Sequence, residues 1–462
     1  MKQYSTFHFS GYSWNHHAGK ISLKYALDND IAFEEMIMLP EPVTDKQLKA
    51  NEWEIERLLF ALHIIGGISY YKTCLPKEIK VHSGELSQAD AKFWNNVYEH
   101  GLGEFFFRNN IEFRGLIKFP QVNRAKVASY KVKSLSRLPP KPLSEQRLLV
   151  PIGGGKDSMV TIEMLRKTGA KLTLLRIGDH PIIDELAEKT GLPIIHAKRQ
   201  LSPVLFKLNA DGALNGHVPV TAYLSVLAML FTHLYEFDGV VMSNERSANH
   251  GNVEFKGMEI NHQWSKSIQF ERAFRKYLEE TVITDHEYFS LLRPFSELKI
   301  AEIFSRYPQY FGAATSCNKN WKIMANAGAD MNPNEVSGSW CRECPKCTFV
   351  FAILAAFIPV KDLTAMFGKN LFEDAALIPL YKELLGVTNF KPFECVGTPD
   401  ETKAAFLLAK RTKAYDKTPV MKMFTEEILP TIAHPDSLLE QCLRINKEHF
   451  IPAEFQPLIA NC

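Results

Sequence analysis

The feature that most constrains this chain is the stretch LLVPIGGGKDSMVTIEMLRK at residues 148–167. It begins with an apolar run that has the length of a buried parallel strand. Three consecutive glycines follow, and residues 159–167 then repeat apolar side chains at helical spacing. Asp157 and Ser158 are residue types that often cap the start of a helix. The sequence therefore predicts a strand, a glycine turn and a helix, which is the repeating unit of parallel α/β sheets.

The glycine turn is well suited to bind an anion. Gly153, Gly154 and Gly155 have no side chains, so the backbone can approach a ligand closely. The first N–H groups of the helix have no partner inside it, and the positive end of the helix dipole lies at the same place. Lys156 adds a mobile positive charge. We expect residues 153–158 to bind a phosphate group; a plain glycine turn inside an α/β domain is the alternative.

The order of residues in this turn excludes two common phosphate-binding loops. The Walker pattern needs glycine at Val150 and serine or threonine at Asp157, and the dinucleotide pattern needs glycine at Ser158. What remains, Gly-Gly-Lys-Asp-Ser after a strand, resembles the PP-loop of ATP pyrophosphatases. Members of that superfamily split ATP between its α and β phosphates, usually by adenylating an oxygen of the substrate. Their motif usually begins with serine where this chain has Gly153, which leaves one hydroxyl contact to phosphate unaccounted for.

The composition indicates an ordinary globular protein. Its 462 residues suggest two or three domains, and 46% hydrophobic and 23% charged residues are typical of a folded chain. A formal net charge of +2 gives no support for a broad nucleic-acid-binding surface, so we expect no nucleic-acid partner. The sequence shows neither a secretory signal nor an apolar stretch that would span a bilayer. Because the eight cysteines lack the spacing of a disulfide framework, we expect a cytoplasmic protein; the oligomeric state is open.

Changes in composition predict three regions. Residues 1–143 are expected to form an α+β domain, residues 144–366 an ATP-binding α/β domain with a doubly wound parallel sheet, and residues 367–462 a mostly helical region. A stretch rich in proline, serine and lysine at 134–145 predicts a linker between the first two. The main elements expected in the first region are strands at 7–12, 19–27 and 111–117 and helices at 51–71 and 89–100.

Candidate ligand-binding residues follow the strands of the second region, because ligands of parallel sheets bind beyond the carboxyl ends of strands. The predicted strands lie at 148–152, 171–177, 192–195 and 239–242. Arg176, Ile177 and Gly178 end the second of these strands and are candidates to contact adenine or ribose. Packing explains Ile177 equally well.

A polar run, Ser243 to Ala248, follows the fourth predicted strand. Asn244 and Glu245 are candidates for the nucleotide and magnesium site, since oxygen ligands suit Mg²⁺. Arg246 is a candidate to bind a phosphate or a carboxylate. A helix cap followed by an exposed turn is the alternative interpretation.

Three further side chains are candidate functional residues. His262 and Lys266 are four residues apart and would share a face if that turn is helical. Cys395 precedes a predicted helix at 400–410, whose dipole would lower the pKa of its thiol. A structural or solvated role is the alternative for each of them.

A cysteine cluster predicts a structural metal site. Cys341, Cys344 and Cys347 have a double Cys-x-x-Cys spacing, and Cys317 lies upstream as a fourth thiol. Four thiolates suit a tetrahedral zinc ion. Free thiols held by packing are the alternative, and a redox pair fits less well because the thioredoxin context is absent. The cluster and the PP-loop together resemble deazaguanine nitrile synthases and tRNA-thiolating enzymes.

Several motifs in order resemble one family over nearly the whole chain. They are Leu-x-Tyr-Ala-Leu-Asp at 23–28, the glycine loop, Ser-Asn-Glu-Arg-Ser-Ala, Asn-His-Gln-Trp-Ser-Lys-Ser, Trp-Cys-x-x-Cys-Pro-Lys-Cys and Phe-Glu-Cys-Val-Gly. This set is similar to the MurL family of ATP-dependent UDP-N-acetyl-alpha-D-muramoyl-L-alanyl-L-glutamate epimerases, which serve bacterial peptidoglycan synthesis and hence the cell wall. The resemblance implies an isomerase that uses ATP and Mg²⁺, inverts the terminal L-Glu of the UDP-sugar dipeptide to D-Glu, and releases AMP and diphosphate.

The residue chemistry agrees with that expectation. The α-proton of a carboxylate is very weakly acidic, and adenylating the carboxylate lets the carbanion delocalise as an enolate that a base of ordinary pKa can generate. In this scheme residues 153–158 hold the diphosphate, Lys156 stabilises its charge and Asp157 orients the loop or magnesium. His262, Lys266 and Cys395 are the candidate bases. A PP-loop ATP-dependent ligase, or a tRNA- or nucleobase-modifying enzyme with a structural zinc, is the alternative function.

Overall fold

The centre of the structure, a computed structural model, is a mixed sheet of nine strands in the order β11-β8-β5-β6-β7-β3-β2-β1-β4. The residues described are 3–122, 141–317, 319, 340–388, 390–460 and 462. Most of the predicted linker, residues 134–140, lies outside them. The strands are β1 (Thr6–Asn15), β2 (Lys20–Leu27), β3 (Ile31–Met38), β4 (Glu78–Val81), β5 (Arg147–Pro151), β6 (Lys171–Ile177), β7 (Ile194–Gln200), β8 (Gly239–Met242), β9 (Val253–Phe255), β10 (Met258–Ile260) and β11 (Glu287–Ser290).

Seventeen α-helices surround this sheet and a small β9–β10 ribbon in the part of the chain described. They are α1 (Asp45–Ala50), α2 (Glu52–Tyr71), α3 (Gln88–Gly101), α4 (Gly103–Arg108), α5 (Lys156–Arg166), α6 (Pro181–Thr190), α7 (Pro203–Ala210), α8 (Val220–Leu234), α9 (Ile268–Tyr277), α10 (Glu297–Phe304), α11 (Pro345–Ala355), α12 (Val360–Phe367), α13 (Ile378–Leu384), α14 (Pro399–Arg411), α15 (Pro419–Met423), α16 (Pro435–Leu443) and α17 (Pro457–Ala460). None of these described helices is both long and apolar enough to cross a membrane.

Five neighbouring strands, β11-β8-β5-β6-β7, are parallel and confirm the predicted α/β architecture. Alternate residues of β5 enter different cores, since Leu148 and Val150 pack on one face and Leu149 packs on the other. Helices α5, α10, α11 and α14 cover the first face, and α2, α8 and α9 cover the second. The carboxyl ends of the parallel strands, where the sequence predicts a ligand site, therefore lie between two helical layers.

Several predicted elements need correction. The third strand of the parallel sheet begins at Ile194 and extends to Gln200, beyond the predicted 192–195, because its polar second half pairs with β3. Residues 111–117 are turn and coil and form no strand. The strands β3, β4 and β11, together with the β9–β10 ribbon, were not predicted, since each is short or carries charged residues. Asp157 and Ser158 lie inside the first turn of α5, and Gly155 occupies the N-cap position.

A buried ion pair joins the N-terminal strands to the parallel sheet. Where β3 runs antiparallel to β7, the guanidinium of Arg199 donates to both oxygens of Glu35 at 2.8 and 3.1 Å. The hydroxyls of Tyr70 and Tyr223 donate to the same carboxylate at 3.0 and 3.1 Å. Each oxygen of the carboxylate thus accepts two hydrogen bonds, which offsets the cost of removing the two charges from water.

We expect the Glu35→Ala variant to lower the free energy of unfolding by about 3–5 kcal/mol, because it leaves the Arg199 charge buried without its carboxylate. The midpoint of urea denaturation, followed by circular dichroism, measures this loss. Glu56→Ala, at an exposed position of α2, is the matched control and should change stability by less than about 0.5 kcal/mol. Equal midpoints for the two variants would show that the junction does not depend on this pair.

Candidate active site

The glycine loop lies at the carboxyl end of β5, as the sequence predicts. Gly154 has φ +80°, a conformation that favours glycine, and a side chain at Gly153 would meet no atom within 4 Å. The N–H of Thr315 donates to the carbonyl of Gly154 at 2.8 Å and braces the loop from outside. The Ser158 hydroxyl donates to the Gly155 carbonyl at 3.1 Å. The loop therefore presents bare backbone ahead of α5, the geometry that binds phosphate groups.

Lys156 is buried in the first turn of α5 and contacts two carboxylates. Its ammonium group donates to Asp157 at 2.5 Å and pairs with Glu297 at the start of α10. Removal from water opposes the charge of Lys156, but Asp157 and Glu297 outweigh this effect and hold its pKa above the ordinary value. The other oxygen of Glu297 lies 3.4 Å from the ammonium group of Lys346 in α11. Burial favours the neutral form of Glu297, yet Lys156 and Lys346 lower its pKa to about 2.

This chain of charges leads directly to Cys395. The Lys346 ammonium donates to the Cys395 carbonyl, and the Glu394 carboxylate accepts from the Lys346 backbone N–H at 2.8 Å. The thiol of Cys395 is half-buried, and its sulfur lies 3.6 Å from the Lys266 ammonium. Lys156, Glu297 and Lys346 thus connect the glycine loop to a cysteine that is more than 200 residues away in the sequence.

Cys395, His262 and Glu104 form a thiol–imidazole–carboxylate series. The charge of His262 interacts with the Cys395 thiol, and its ring Nδ1 lies 2.5 Å from a carboxylate oxygen of Glu104 on α4. The ring of His217 packs against His262, with centroids 4.4 Å apart. His262 and Lys266 converge on one sulfur although their segment is a turn followed by a 3₁₀ turn at Trp264–Lys266, and not the helical face that was expected.

The charges of this cluster favour an ionised thiol. Removal from water would raise the pKa of Cys395, but the Lys266 ammonium and the hydrogen bond from His262 lower it to about 5. The thiolate in turn holds the pKa of Lys266 above its ordinary value. Burial opposes the charge on His262, yet Cys395 and Glu104 raise its pKa to about 9. At neutral pH the cluster therefore contains a thiolate flanked by an ammonium and an imidazolium.

The residues of the polar run after β8 differ in location. Asn244 and Glu245 lie near the site, and Arg246 contacts the end of α16. Burial and the nearby Glu297 raise the pKa of Glu245 to about 7, and its backbone carbonyl accepts from Arg293 at 2.6 Å. The amide of Asn244 donates to the Ser290 hydroxyl at 3.2 Å, at the end of β11. Arg246 instead donates to carbonyls at the end of α16, at 2.9 Å from Arg444 and 3.1 Å from Cys442. Its role at a phosphate stays a prediction.

The segment after β6 lies at the same edge of the sheet. Gly178 adopts φ +73°, and a side chain there would meet no atom within 4 Å, so the turn is open. The buried guanidinium of Arg176 donates to the Gly178 carbonyl at 2.6 Å and pairs with Asp184. Ile177 is half-buried. Contact of these residues with adenine or ribose stays a prediction.

The structure brings the four cysteines of the predicted metal site together. The sulfur atoms of Cys317, Cys341, Cys344 and Cys347 all lie within 4.8 Å of one another. Four sulfurs at about 2.3 Å from one zinc ion would be about 3.8 Å apart, so this set fits a tetrahedral metal. Cys317 follows the Thr315 brace of the glycine loop, and Cys344 caps the helix that carries Lys346.

Sequence reasoning missed four residues of the site, namely Glu104, His217, Glu297 and Lys346. Glu104 and His217 lie in segments whose sequence shows no motif. Glu297 follows the unpredicted strand β11, although Ser296-Glu297 has the pattern of a helix start. Lys346 stands inside the Cys-Pro-Lys-Cys motif, so a lysine between two predicted metal ligands was the available signal.

We expect Cys395 to react as a thiolate from mildly acidic pH upward. Because its pKa is lowered, the thiolate is present above about pH 5 and is lost below it. The rate of alkylation by iodoacetamide, followed by peptide mass spectrometry across pH 4–10, should rise with a midpoint of about 5. In the Lys266→Met variant this midpoint should move upward, because the largest influence that lowers the pKa is removed.

The built-in comparison is Cys74, whose thiol pKa is raised by burial and which should react only in alkaline solution. A Cys395 profile that follows that of Cys74 would contradict the ionised thiol. An unchanged midpoint in the Lys266→Met variant would exclude Lys266 as its source.

The chain matches a known protein family along most of its length. The MurL N-terminal domain matches residues 1–291, and the MurL C-terminal domain matches residues 313–438. The chain is 38% identical to a UDP-N-acetyl-alpha-D-muramoyl-L-alanyl-L-glutamate epimerase of Xanthomonas oryzae pv. oryzae, over 97% of this chain and 96% of that protein. Proteins of the same name from Salinispora tropica (93% and 90% covered) and a Micromonospora species (100% and 99% covered) are 38% and 36% identical. Epimerases are isomerases, so the predicted enzyme class is confirmed. The chain belongs to the MurL family of UDP-N-acetyl-alpha-D-muramoyl-L-alanyl-L-glutamate epimerases.

Proposed function

We propose that the protein epimerises the terminal L-Glu of UDP-MurNAc-L-Ala-L-Glu to D-Glu through an acyl adenylate, with ATP consumed and AMP and diphosphate released. The names of the relatives support the substrate and the epimerisation. One structural observation supports the ATP-dependent route. The buried side chains of Lys156, Glu297 and Lys346 connect the glycine loop to the Cys395 loop. The groups that would activate a carboxylate are therefore linked to those that would transfer a proton.

The first half of the proposed reaction takes place at the glycine loop. The N–H groups ahead of α5 hold the β and γ phosphates of ATP, and Lys156 balances the charge that develops on the diphosphate. The substrate carboxylate attacks the α phosphorus, and the diphosphate leaves. Arg176, Ile177 and Gly178 would support the adenosine, and Asn244 lies at the neighbouring strand end.

Magnesium is part of this proposal. Asp157, Glu245 and Glu297 are carboxylates close to Lys156, and such oxygen ligands suit Mg²⁺. Bound there, the ion would neutralise phosphate charge. The chain's own contribution is to keep these carboxylates in place, as Glu297 is held by two lysines.

The second half takes place beside Cys395. In the adenylate the carbonyl is no longer an anion, so the α-proton can be removed and the enolate stabilised by neighbouring cations. Lys266 and His262 supply positive charge at this point. A proton returned to the opposite face inverts the centre, and water then releases AMP. Because the eight described cysteines form no disulfide, we place the enzyme in the reducing cytoplasm.

We expect the protein, incubated in D₂O with ATP, Mg²⁺ and UDP-MurNAc-L-Ala-L-Glu, to form AMP and diphosphate and to place deuterium at the glutamate α-carbon. Mass spectrometry and chiral analysis of the released glutamate measure the product. Lys156→Met should slow AMP release by about 100- to 1000-fold, the size expected when one preorganised charge is lost.

Lys167→Met, at the other end of the same helix, is the matched control and should retain the activity. ADP as the product, or AMP release that depends on tRNA in place of the dipeptide, would refute the proposal and favour a ligase or a tRNA-modifying enzyme. Full AMP release by Lys156→Met would remove the glycine loop from the reaction.

We separately propose that the four cysteines of the cluster bind a structural zinc ion. We expect about one zinc per chain by elemental analysis, and we expect Cys344→Ser to lose that zinc together with several degrees of thermal stability. The change should also slow AMP release, since Cys344 starts the helix that carries Lys346. Cys442→Ser, a change of another buried cysteine, should keep its zinc. A folded wild-type protein free of metal would contradict the site.

A further inference from the structure

The series Cys395–His262–Glu104 has the form of an activated nucleophile. In such sites a basic group holds the nucleophile ionised, and a third group orients the base. Here His262 interacts electrostatically with the thiol, and the carboxylate of Glu104 lies 2.5 Å from Nδ1 of the His262 ring. Lys266, 3.6 Å from the sulfur, adds a second cation. A route through the adenylate alone requires no ionised nucleophile. It therefore does not explain why two cations surround the Cys395 thiol.

The thiol is also held in one place. Its loop contains two tight turns, in which Glu394 N–H donates to the Pro392 carbonyl and Val396 N–H to the Glu394 carbonyl, both at 2.8 Å. Gln263 donates to the Val396 carbonyl at 3.4 Å, and Lys346 anchors the Cys395 carbonyl. Because Lys346 also touches Glu297, the same contact fixes the distance from the thiol to the glycine loop. The glycine loop and a positioned thiol are therefore joined through three buried side chains, Lys156, Glu297 and Lys346.

A thiolate of low pKa is better suited to attack carbon than to remove a proton from it. A general base works best when its pKa lies near the working pH, and the Lys266 ammonium lowers the pKa of the Cys395 thiol to about 5. Such a thiolate is a weak base and removes the α-proton of the substrate poorly. It remains fully ionised at neutral pH, and the thiolate is the nucleophilic form of cysteine.

We infer that Cys395 is a covalent nucleophile that takes the acyl group from the adenylate and holds the glutamyl residue as a thioester during epimerisation. The inference rests on the proposed function. The sulfur bonds to the carbonyl carbon, the carbon–oxygen bond to AMP breaks, and AMP leaves with the electron pair. After the α-proton is removed and returned to the other face, water attacks the thioester. The carbon–sulfur bond then breaks, the free carboxylate forms, and the thiolate is restored.

Acylation would also prepare the neighbours for proton transfer. The thiolate charge is the largest influence that holds the proton on Lys266, and it contributes to holding the proton on His262. Once the sulfur is acylated this charge is gone, and both groups release a proton more readily. A thioester also acidifies the α-proton more than an oxygen ester does, because sulfur donates less electron density to the carbonyl.

The test is acid quenching of single turnovers, followed by intact-protein and peptide mass spectrometry. With ATP, Mg²⁺ and the UDP-sugar dipeptide, wild-type protein should carry an adduct of the substrate mass less one water on the Cys395 peptide, and neutral hydroxylamine should remove it. Cys395→Ser should accumulate a more stable oxygen ester at the same position. Cys395→Ala should still form diphosphate in one turnover and should lose epimerisation by more than about 1000-fold. Cys74→Ser, a half-buried cysteine in the first region, is the control and should behave as wild type.

The outcomes separate this inference from the proposed function. Epimerisation by Cys395→Ala at the wild-type rate would overturn the nucleophile. An inactive Cys395→Ala, with no adduct in either wild type or Cys395→Ser, would also overturn it and would make the thiol a proton-transfer group within an intact adenylate route. Failure of the wild-type protein to form AMP, diphosphate and D-Glu would refute the proposed function itself.

Discussion

The rest of the site depends on the two ion pairs that the Glu297 carboxylate forms. Each of its oxygens meets an ammonium group, one from Lys156 at the start of α5 and one from Lys346 at the start of α11. All three side chains are buried, and charges at that depth are stable only when they are paired and hydrogen-bonded. Separating any two of these helices would leave an unpaired charge in the interior. The electrostatic cost of burial therefore fixes the geometry between the glycine loop and the thiol.

The C-terminal helices and the cysteine cluster secure this arrangement from outside. Glu401 of α14 accepts the backbone N–H of Glu297 at 2.9 Å and the hydroxyl of Ser247 at 2.5 Å, so the region after residue 366 helps to cap the helix that carries Glu297. On the other side, Cys344 starts the helix that carries Lys346, and Cys317 follows the brace of the glycine loop. A metal bound by the four sulfurs would hold both ends of the ion chain at once. Such a metal would affect the reaction only by fixing the positions of the glycine loop and Lys346.

Features that a short segment of the sequence encodes could be predicted. The glycine loop, β6 and β8 are each encoded by consecutive residues, and three of the four clustered cysteines lie between residues 341 and 347; the structure places all of these as expected. Pairings between distant segments could not be read in this way. Glu104 reaches His262 across 158 residues, and Lys156 reaches Glu297 across 141. The contact of Arg246 with the end of α16 is another such pairing, in which a helix C-terminus far along the chain attracts the positive charge.

Charge balance explains why the thiol needs partners from so many segments. Lys266 and His262 together contribute two positive charges, and the Cys395 thiolate balances one of them. Glu104, whose pKa is held at about 2 by His262 against the effect of burial, balances the second. The resting cluster is then neutral, which a half-buried site tolerates. If the sulfur becomes acylated, one positive charge is left over. A glutamyl group that is bound through its α-carboxyl still carries its side-chain carboxylate, which would restore neutrality. The same imbalance would disfavour a substrate whose side chain is uncharged, since it would leave a buried cation without a partner.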